Sequence, residues 1–186
     1  SPRIRFMSKK KVFLIDGNSF CYRAYFAIKE LSNSKGQPTN AIYGFITMLN
    51  RIIEAEKPDY IAVTFDLKGP TFRHRIYEEY KINRKPMPDE LVSQLEPIKK
   101  ILSYYNIMIF EKEGFEADDV LATISKRLSA GNLVDIYIVT GDKDILQLVD
   151  NNIRVYNTHK DGLIYDIETV KRDFGVEPTG ITDLIA

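Results

Sequence analysis

The feature that most constrains the fold of this chain is the alternation of short apolar runs with segments of helical periodicity. The apolar runs are "KVFLI" (11–15), "DYIAVTF" (59–65), "IMIF" (107–110) and "VDIYIV" (134–139). Strands that are apolar throughout and are separated by helices belong to parallel sheets covered on both faces. The sequence therefore predicts an α/β fold, with a doubly wound, mostly parallel sheet and helices on both of its faces.

The segments around these runs complete the predicted order of elements. Residues 40–56 carry apolar residues at helical spacing, and Asn40 is predicted to be the N-cap of that helix. Residues 152–157 and 162–167, joined by a turn at Lys160-Asp161-Gly162, are predicted to form a hairpin or a sheet edge. Further helices are predicted at 20–29, 88–105, 114–128, 144–149 and 168–175.

The composition excludes several kinds of site and by itself names no partner. The 186 residues suffice for one well-packed domain, and 26 basic residues balance 26 acidic residues. Because Cys21 is the only cysteine, a disulfide framework and a cysteine-based zinc site are excluded within the chain. His74 and His159 are too few for a His-rich metal site. No apolar run is long enough to span a bilayer and no signal peptide is visible, so a cytoplasmic protein is expected.

Acidic residues open the predicted helix in "GFEADDVLATISKRL" (114–128). Val120, Ile124 and Leu128 are predicted to form its core-facing stripe. Glu116 lies four residues before Val120 on the same face, and two further acids, Asp118 and Asp119, follow it. Acids in a first turn are favoured by capping and by the helix dipole, and a metal site is the other interpretation.

Aspartates also follow three of the predicted strands. Asp16 follows "KVFLI", Asp66 follows "IAVTF", and Asp142 and Asp144 follow "IYIVTG". Ligands of open α/β sheets bind beyond the carboxyl ends of the strands, so these acids should converge there. Asp16 and Asp142 could instead only cap the helices that follow them. Clustered carboxylates repel one another unless a cation binds them, and oxygen ligands alone favour Mg²⁺ or Mn²⁺, here as two ions. The predicted metal ligands are Asp16, Asp66, Glu116, Asp118, Asp119, Asp142 and Asp144.

A basic, aromatic insert at about 68–88 follows Asp66 directly. Phe72, Tyr77 and Tyr80 are interleaved with basic residues that outnumber the acids in the segment. From Phe72 to Lys85 the basic residues are Arg73, Arg75, Lys81, Arg84 and Lys85. Cations hold phosphates and aromatic faces stack on unpaired bases, so the insert beside an acidic edge indicates a nucleic-acid substrate. A solvated helix with a few ion pairs is the simpler interpretation of the charges alone.

Four segments together resemble a known family. They are "FLIDGNSFCYRAYFA", "VTFDLKGPTFRHRIYEEYKINRKPMPDEL", "GFEADDVLATI" and "VTGDKDILQLV", and they occur in the family's order and at similar separations. The chain from Lys11 onward is similar to the 5′→3′ exonuclease domain of bacterial DNA polymerase I, within the flap endonuclease family and its PIN-like fold. The resemblance implies a nuclease core at 11–186 with a helical arch at about 68–88. Residues 1–10 are expected to be a remnant of cloning and a disordered N-terminus.

The resemblance also implies roles for single residues. Asp16, Asp66, Glu116, Asp118 and Asp119 would hold the first metal ion, and Asp142 and Asp144 would contribute to the second. Lys81 and Arg84 would contact the scissile phosphate in the arch. Arg73 would lie near the 5′ strand, Tyr80 would stack on a base, and Tyr22 would lie where the DNA bends. The activity implied is two-metal hydrolysis of DNA at 5′ flaps or 5′ ends, in replication and repair, by a monomer that works with or is linked to a DNA polymerase.

The resemblance further implies a chain that is truncated at its C-terminus. After "DLIA" the family continues with a Gly-Asp-Ser-Ser-Asp-Asn stretch, which supplies further second-metal ligands, and with a helix–hairpin–helix element. Three other functions remain open at this point. They are a PIN-like nuclease of single-stranded RNA, a phosphohydrolase of the haloacid dehalogenase type, and a nucleic-acid-binding fragment without turnover. The phosphohydrolase is disfavoured because it needs an aspartate where Asn18 stands.

Overall fold

The computed structural model describes residues 8–66, 87–111 and 117–185, with only the backbone described at residues 117 and 118. Within these residues, six strands form one sheet in the order β3-β2-β1-β4-β5-β6. The strands are β1 Lys10–Asp16, β2 Tyr60–Thr64, β3 Met108–Phe110, β4 Val134–Thr140, β5 Ile153–Asn157 and β6 Leu163–Tyr165. Strands β1 to β5 pair in parallel, and β6 pairs antiparallel with β5. The predicted mostly parallel, doubly wound sheet is confirmed.

Four of the described helices lie in connections between strands, and two follow the last strand, β6. They are α1 Gly17–Ala27, α2 Asn40–Glu56, α3 Asp89–Tyr104, α4 Ala117–Ser129, α5 Ile167–Phe174 and α6 Ile181–Ile185. Three short 3₁₀ helices span Lys143–Leu148, Thr158–Lys160 and Pro178–Gly180. The segment predicted as a helix at 144–149 is thus a 3₁₀ helix, a tighter form that proteins use in short connectors such as this one between β4 and β5.

Both faces of the sheet are buried, which explains why its strands are apolar throughout. Successive strand residues point to opposite faces. Phe13 and Ile15 therefore pack with α1, α2 and α3 in one core cluster. Val12 and Leu14 pack in a second cluster with α4, α5 and α6. These two clusters place a helical layer on each side of the sheet.

The buried stripe of α4 differs from the predicted one. Leu121 and Ser125 are fully buried, whereas Leu128 is 40% exposed. Val120 and Ile124 flank the buried residues and are only partly buried. The contact face of α4 is thus centred one residue further along the chain than predicted, because the direction from which a helix meets the sheet decides which residues are covered.

Asn40 is not the N-cap of α2, contrary to the prediction. Thr39 is the cap residue, and Asn40 begins the helix with a side chain that is 4% exposed. Its amide nitrogen donates to the carbonyl oxygens of Tyr25 and Ile28, at 3.0 and 2.9 Å. Its amide oxygen accepts a 2.9 Å hydrogen bond from buried Gln94. Asn40 therefore joins three helices, satisfying carbonyls at the end of α1 and linking them to α3.

The hairpin predicted near the C-terminus is present as β5 and β6. Asp161 and Gly162 both adopt positive φ angles, 51° and 77°, in the turn between them. Strand β1 begins at Lys10, one residue before the predicted start.

Among the described helices, none combines the length and apolar character required to cross a membrane.

Replacing Asn40 with Ala should lower the free energy of unfolding by about 2–4 kcal/mol. The substitution removes the side-chain donor to the carbonyls of Tyr25 and Ile28, and each such loss costs about 1–3 kcal/mol. Gln94 loses one of its two hydrogen-bond acceptors and keeps the carbonyl of Glu90. The matched control is Asn50→Ala in the same helix, which removes only an exposed hydrogen bond from Tyr105. Urea unfolding of both variants measures the difference, and equal losses would contradict the joining role of Asn40.

Candidate active site

The order of the strands defines where a ligand of this sheet binds. Strands β2 and β3 lie on one side of β1, and β4 and β5 lie on the other. The chain therefore reverses its winding direction between β1 and β4, and the carboxyl ends of these two strands border the usual ligand crevice of open α/β sheets. Asp16 is the last residue of β1, and Asp142 comes two residues after the end of β4. The sheet thus brings two of the predicted ligands to its switch point.

Asp16 is held at the junction of β1 and α1 and is only 8% exposed. Its Oδ1 accepts a 3.2 Å hydrogen bond from the backbone nitrogen of Ser19, which makes Asp16 the N-cap of α1. Its Oδ2 accepts a 3.1 Å hydrogen bond from the hydroxyl of Thr140, at the end of β4. The capping role of Asp16 is therefore real, and the carboxylate is also tied to the neighbouring strand.

Gly17 allows β1 to pass into α1 without a loop. A Cβ at this position would lie 2.4 Å from the carbonyl oxygen of Thr64, in the adjacent strand β2. This distance is too short for any side chain, so glycine is required by the close approach of the two backbones. The same approach brings the first turn of α1 over the end of β2 and toward Asp66.

Asn18 links Asp66 to the first turn of α1. The amide nitrogen of Asn18 donates to Oδ2 of Asp66 at 3.3 Å, and the backbone nitrogen of Asp66 donates to the amide oxygen of Asn18 at 3.1 Å. Asp66 is half-buried and lies two residues beyond β2. No sequence pattern predicts this pairing, because residues 18 and 66 meet only through the parallel pairing of β1 and β2. Asn18 thus positions a predicted metal ligand.

Asp142 and Asp144 lie at the start of the 3₁₀ helix after β4. Oδ1 of Asp142 accepts a 2.9 Å hydrogen bond from the backbone nitrogen of Asp144 and caps that helix. The backbone nitrogen of Asp142 donates to the hydroxyl of Thr140 at 3.1 Å. Thr140 therefore connects the backbone of Asp142 to the carboxylate of Asp16. Asp142 is half-buried, whereas Asp144 is exposed.

Two residues near this edge were not predicted as part of the site. The hydroxyl of Ser19 accepts a 3.2 Å hydrogen bond from the backbone nitrogen of Gly141. The imidazole of His159 lies against Gly141, where an added Cβ would meet the ring at 2.2 Å. His159 lies far from Gly141 along the chain, and the parallel pairing of β4 and β5, with Thr140 opposite Asn157, brings the two residues together.

The remaining predicted residues are only partly described. Asp119 is half-buried in the first turn of α4, and Tyr22 lies in α1 with its ring stacked on the exposed ring of Phe26. The other predicted site residues, Glu116, the side chain of Asp118, Arg73, Tyr80, Lys81 and Arg84, lie outside the described residues. Among the described side chains, no three acidic, histidine or cysteine groups are close enough together to hold a metal ion. The gathering of all seven carboxylates stays a prediction.

Cys21 lies near Asp16 and is fully buried. Burial raises the pKa of the Cys21 thiol to about 12, with the negative charge of Asp16 acting in the same direction and the positive charge of Lys99 opposing it. The thiol is therefore protonated at neutral pH, and a thiol is a poor nucleophile and a poor metal ligand compared with a thiolate. Metal binding at this edge of the sheet would therefore depend on the carboxylate oxygens and not on the Cys21 sulfur.

Comparison with known protein families decides the identity of this domain. Residues 11–175 match the family described as the 5′-3′ exonuclease, N-terminal resolvase-like domain. This chain belongs to that family. It is 46% identical over 178 residues to the DNA polymerase I of Caldicellulosiruptor bescii, covering 93% of this chain and 21% of the relative. It is also 46% identical to the 5′-3′ exonuclease of Aquifex aeolicus, covering 95% of this chain and 61% of the relative. The chain thus spans less than two thirds of the length of either relative.

Solved structures agree with this assignment at the level of the fold. The bacteriophage T5 flap endonuclease, in a pseudo-enzyme-product complex with DNA and metal ions, superposes with a TM-score of 0.69 at 20% sequence identity. The likeness covers 92% of this chain and 64% of that one. The resemblance inferred from the four sequence segments is confirmed by the family match, and the PIN-like fold by the structures.

Replacing Thr140 with Val should lower the free energy of unfolding by about 1–3 kcal/mol. Valine fills the same space but neither donates to Asp16 nor accepts from the backbone of Asp142, so buried polar groups are left unpaired. Thr47→Val is the matched control, because Thr47 is exposed and its hydroxyl bonds only the carbonyl of Tyr43 in its own helix. Thermal and urea unfolding measure both variants. A loss no greater than that of the control would show that Thr140 does not connect the two strand ends.

Proposed function

We propose that this domain is the core of a structure-specific nuclease that hydrolyses DNA phosphodiesters at 5′ flaps or 5′ ends. The observation that carries the proposal is that Asp16, Asp66 and Asp142 each come at or just after the carboxyl end of a strand of this sheet, in a chain of the 5′-3′ exonuclease family. The names of the Aquifex aeolicus relative and of the phage flap endonuclease support the same activity.

The donor atoms at this edge fit a hard divalent cation. The described donors are carboxylate oxygens, and Asp16, Asp66 and Asp142 come at or within two residues of the carboxyl ends of β1, β2 and β4, with Asp16 only 8% exposed. No hydrogen bond from the described residues reaches Oδ2 of Asp142, so that oxygen is available to a cation. Oxygen ligands of this kind favour Mg²⁺, with Mn²⁺ as a substitute. Asp16, Asp66, Glu116, Asp118 and Asp119 would hold the first of two ions, and Asp142 and Asp144 would hold the second.

Bound ions would activate water for attack on the phosphodiester and stabilise the charge that develops there. The chain's own residues orient the ligands. Thr140 and Ser19 fix the two oxygens of Asp16, and Asn18 fixes Asp66. These hydrogen bonds limit how far each carboxylate moves when no cation is bound. Pre-orientation of this kind lowers the reorganisation that binding and catalysis require.

The basic residues of the insert are proposed to act on the nucleic acid. Lys81 and Arg84 would contact the scissile phosphate, where a cation stabilises the transition state. Arg73 would hold the 5′ strand, and Tyr80 would stack on an unpaired base. Tyr22 would contact the DNA where it bends, an assignment consistent with its place beside exposed Phe26 on α1.

The wider biology of the chain is proposed on the basis of its relatives. Several relatives are DNA polymerases I, so the nuclease is proposed to act in replication and repair, linked to or working with a polymerase. We further propose that it acts as a monomer in the cytoplasm. A nucleic-acid-binding role without turnover and a PIN-like RNA nuclease are the alternatives that experiments must separate.

Cleavage of a labelled 5′-flap DNA in Mg²⁺ tests the proposal directly. The domain should release the flap in Mg²⁺ or Mn²⁺ and be inactive in EDTA, while a single-stranded RNA of the same sequence should persist. Asp66→Asn should reduce the rate by at least about 10- to 100-fold, the scale of a disturbed metal shell. Asp183→Asn, which removes an exposed acid of α6, is the control.

Metal binding supplies a readout that does not depend on turnover. Mg²⁺ should raise the melting temperature of the domain by mass action, and Asp66→Asn should reduce that rise. The full-length Aquifex aeolicus relative serves as the positive control for cleavage. Preferential cleavage of RNA would favour the PIN-like alternative. DNA binding without cleavage, beside an active relative, would favour the binding fragment.

Lys81→Ala and Arg84→Ala should each reduce single-turnover cleavage more than they reduce DNA affinity. The loss of a group that stabilises the transition state raises the barrier by about 3–4 kcal/mol, whereas the ground state loses one of several phosphate contacts. Lys126→Ala and Arg127→Ala, exposed cations in the last turn of α4, are the controls. Rapid-quench kinetics and fluorescence anisotropy give the two quantities. Equal losses in both would assign these residues to substrate binding alone.

A further inference from the structure

Lys99 of α3 is a partly buried cation near the carboxyl edge of the sheet. Its side chain is 21% exposed, and its ammonium forms an ion pair with Glu111 and a longer one, at 3.4 Å, with Glu96. Burial acts to lower the pKa of Lys99, but the hydrogen bond and the charge of Glu111, together with Glu96, outweigh it and raise the pKa above its ordinary value. Lys99 is therefore charged at neutral pH.

The main partner of Lys99 is a carboxylate at the end of a fourth parallel strand. Glu111 directly follows β3, just as Asp16, Asp66 and Asp142 come at or just after the ends of β1, β2 and β4. The sequence analysis did not include Glu111 among the metal ligands. Because Lys99 supplies a counter-charge from within the protein, Glu111 is better suited to attach the end of β3 to α3 than to bind a cation.

Lys99 also contacts the residue that follows β2. Its ammonium nitrogen lies 5.2 Å from the centroid of the buried Phe65 ring, over the face of the ring, where a cation is attracted to the π-electrons. The backbone nitrogen of Phe65 donates a 3.0 Å hydrogen bond to the carbonyl oxygen of Phe110, the last residue of β3. One lysine thus joins the ends of two neighbouring strands, β3 through Glu111 and β2 through Phe65.

Phe65 connects this contact to the acidic edge. It immediately precedes Asp66, and its ring lies against Gly17, where an added Cβ would meet the ring at 2.8 Å. Gly17 in turn precedes Asn18, whose side chain exchanges two hydrogen bonds with Asp66. A displaced Phe65 ring would therefore disturb Asp66 in two ways, through the backbone and through Asn18.

We propose that Lys99 is a positioning residue for the acidic edge. By pairing with Glu111 and covering Phe65, it holds Asp66 in the orientation that a divalent cation requires, without contacting the cation or the DNA. The inference rests on the proposed function and adds to it a residue of α3 behind the site. Residues that orient the ligands of a metal change its affinity by about 10- to 100-fold when they are replaced.

The charge of Lys99 and its positioning role have opposite effects on metal affinity. A cation near a metal site repels the metal, so removal of the charge alone would strengthen Mg²⁺ binding. Loss of positioning would weaken it. Lys99→Met combined with Glu111→Gln removes both charges of the ion pair and leaves the net charge of the domain unchanged, which isolates the positioning effect.

Calorimetric titration with Mg²⁺ measures this effect without any turnover. The double variant should bind Mg²⁺ about tenfold more weakly than the wild-type domain. Lys99→Met alone should also bind more weakly, and Lys99→Arg, which keeps the charge, should retain most of the affinity. Lys171→Met with Glu177→Gln is the matched control, because it removes an exposed ion pair of 2.7 Å at the end of α5.

Circular dichroism and melting temperature establish that each variant is folded. Wild-type affinity in the folded double variant would overturn the proposal. Tighter binding by Lys99→Met would also overturn it, since only the charge of Lys99 would then affect the metal.

The side-chain amide signals of Asn18 report the orientation of Asp66 in the absence of metal. In EDTA, ¹H–¹⁵N spectra of the double variant should show shifts of these signals and of the backbone amides of Gly17 and Asp66. Lys99→Arg should return them toward their wild-type positions, and the control pair should leave them unchanged. Unchanged Asn18 and Asp66 signals in the double variant would overturn the proposal whatever the metal affinity.

The outcomes for Lys99 and for the nuclease are separable. Shifted Asn18 signals in a domain that binds no Mg²⁺ would support the positioning of Asp66 and contradict the proposed metal-dependent activity. Mg²⁺ binding and flap cleavage, with unshifted Asn18 signals in the double variant, would contradict the role of Lys99 alone.

Discussion

The carboxylate of Asp16 is the constraint on which the arrangement of this site depends. It is nearly buried where β1 passes directly into α1, and both of its oxygens are held, one by the backbone of Ser19 and one by the hydroxyl of Thr140. A buried charge is costly unless hydrogen bonds or a cation compensate it. The first turn of α1 and the end of β4 therefore lie where they can donate hydrogen bonds to this carboxylate. Because Asp142 follows β4 by two residues, it lies at the same edge of the sheet.

Capping and metal binding are not competing explanations at this edge. A carboxylate has two oxygens, and a helix cap uses one of them. Asp142 caps the 3₁₀ helix through Oδ1, and the cap fixes the direction of the whole side chain. The local hydrogen bonds therefore stabilise the fold and orient donors for a cation at the same time. Thr140 contributes to both roles because its hydroxyl donates to Asp16 and accepts from the backbone of Asp142.

Charge in this molecule is separated by position, although the totals balance. Carboxylates lie at or just beyond the carboxyl ends of β1, β2 and β4. Arg23 of α1 and Arg51 of α2, which form no salt bridge with the described residues, line one cavity beside these two helices. The balanced composition therefore conceals a separation between an acidic edge and a pair of cations elsewhere on the domain.

The sequence by itself determined the strands, the parallel doubly wound class and the aspartates at the strand ends, because periodicity and apolar runs are local properties of the chain. Only the tertiary structure decided which side chains meet. Asn18 with Asp66, Thr140 with Asp16 and His159 with Gly141 are pairs brought together by parallel strand pairing, which leaves no periodic signal in the sequence. The buried face of α4 and the joining role of Asn40 were likewise set by packing between helices, and for both the local pattern predicted the wrong residue or role. Local patterns specify elements, whereas a site depends on contacts between residues distant along the chain.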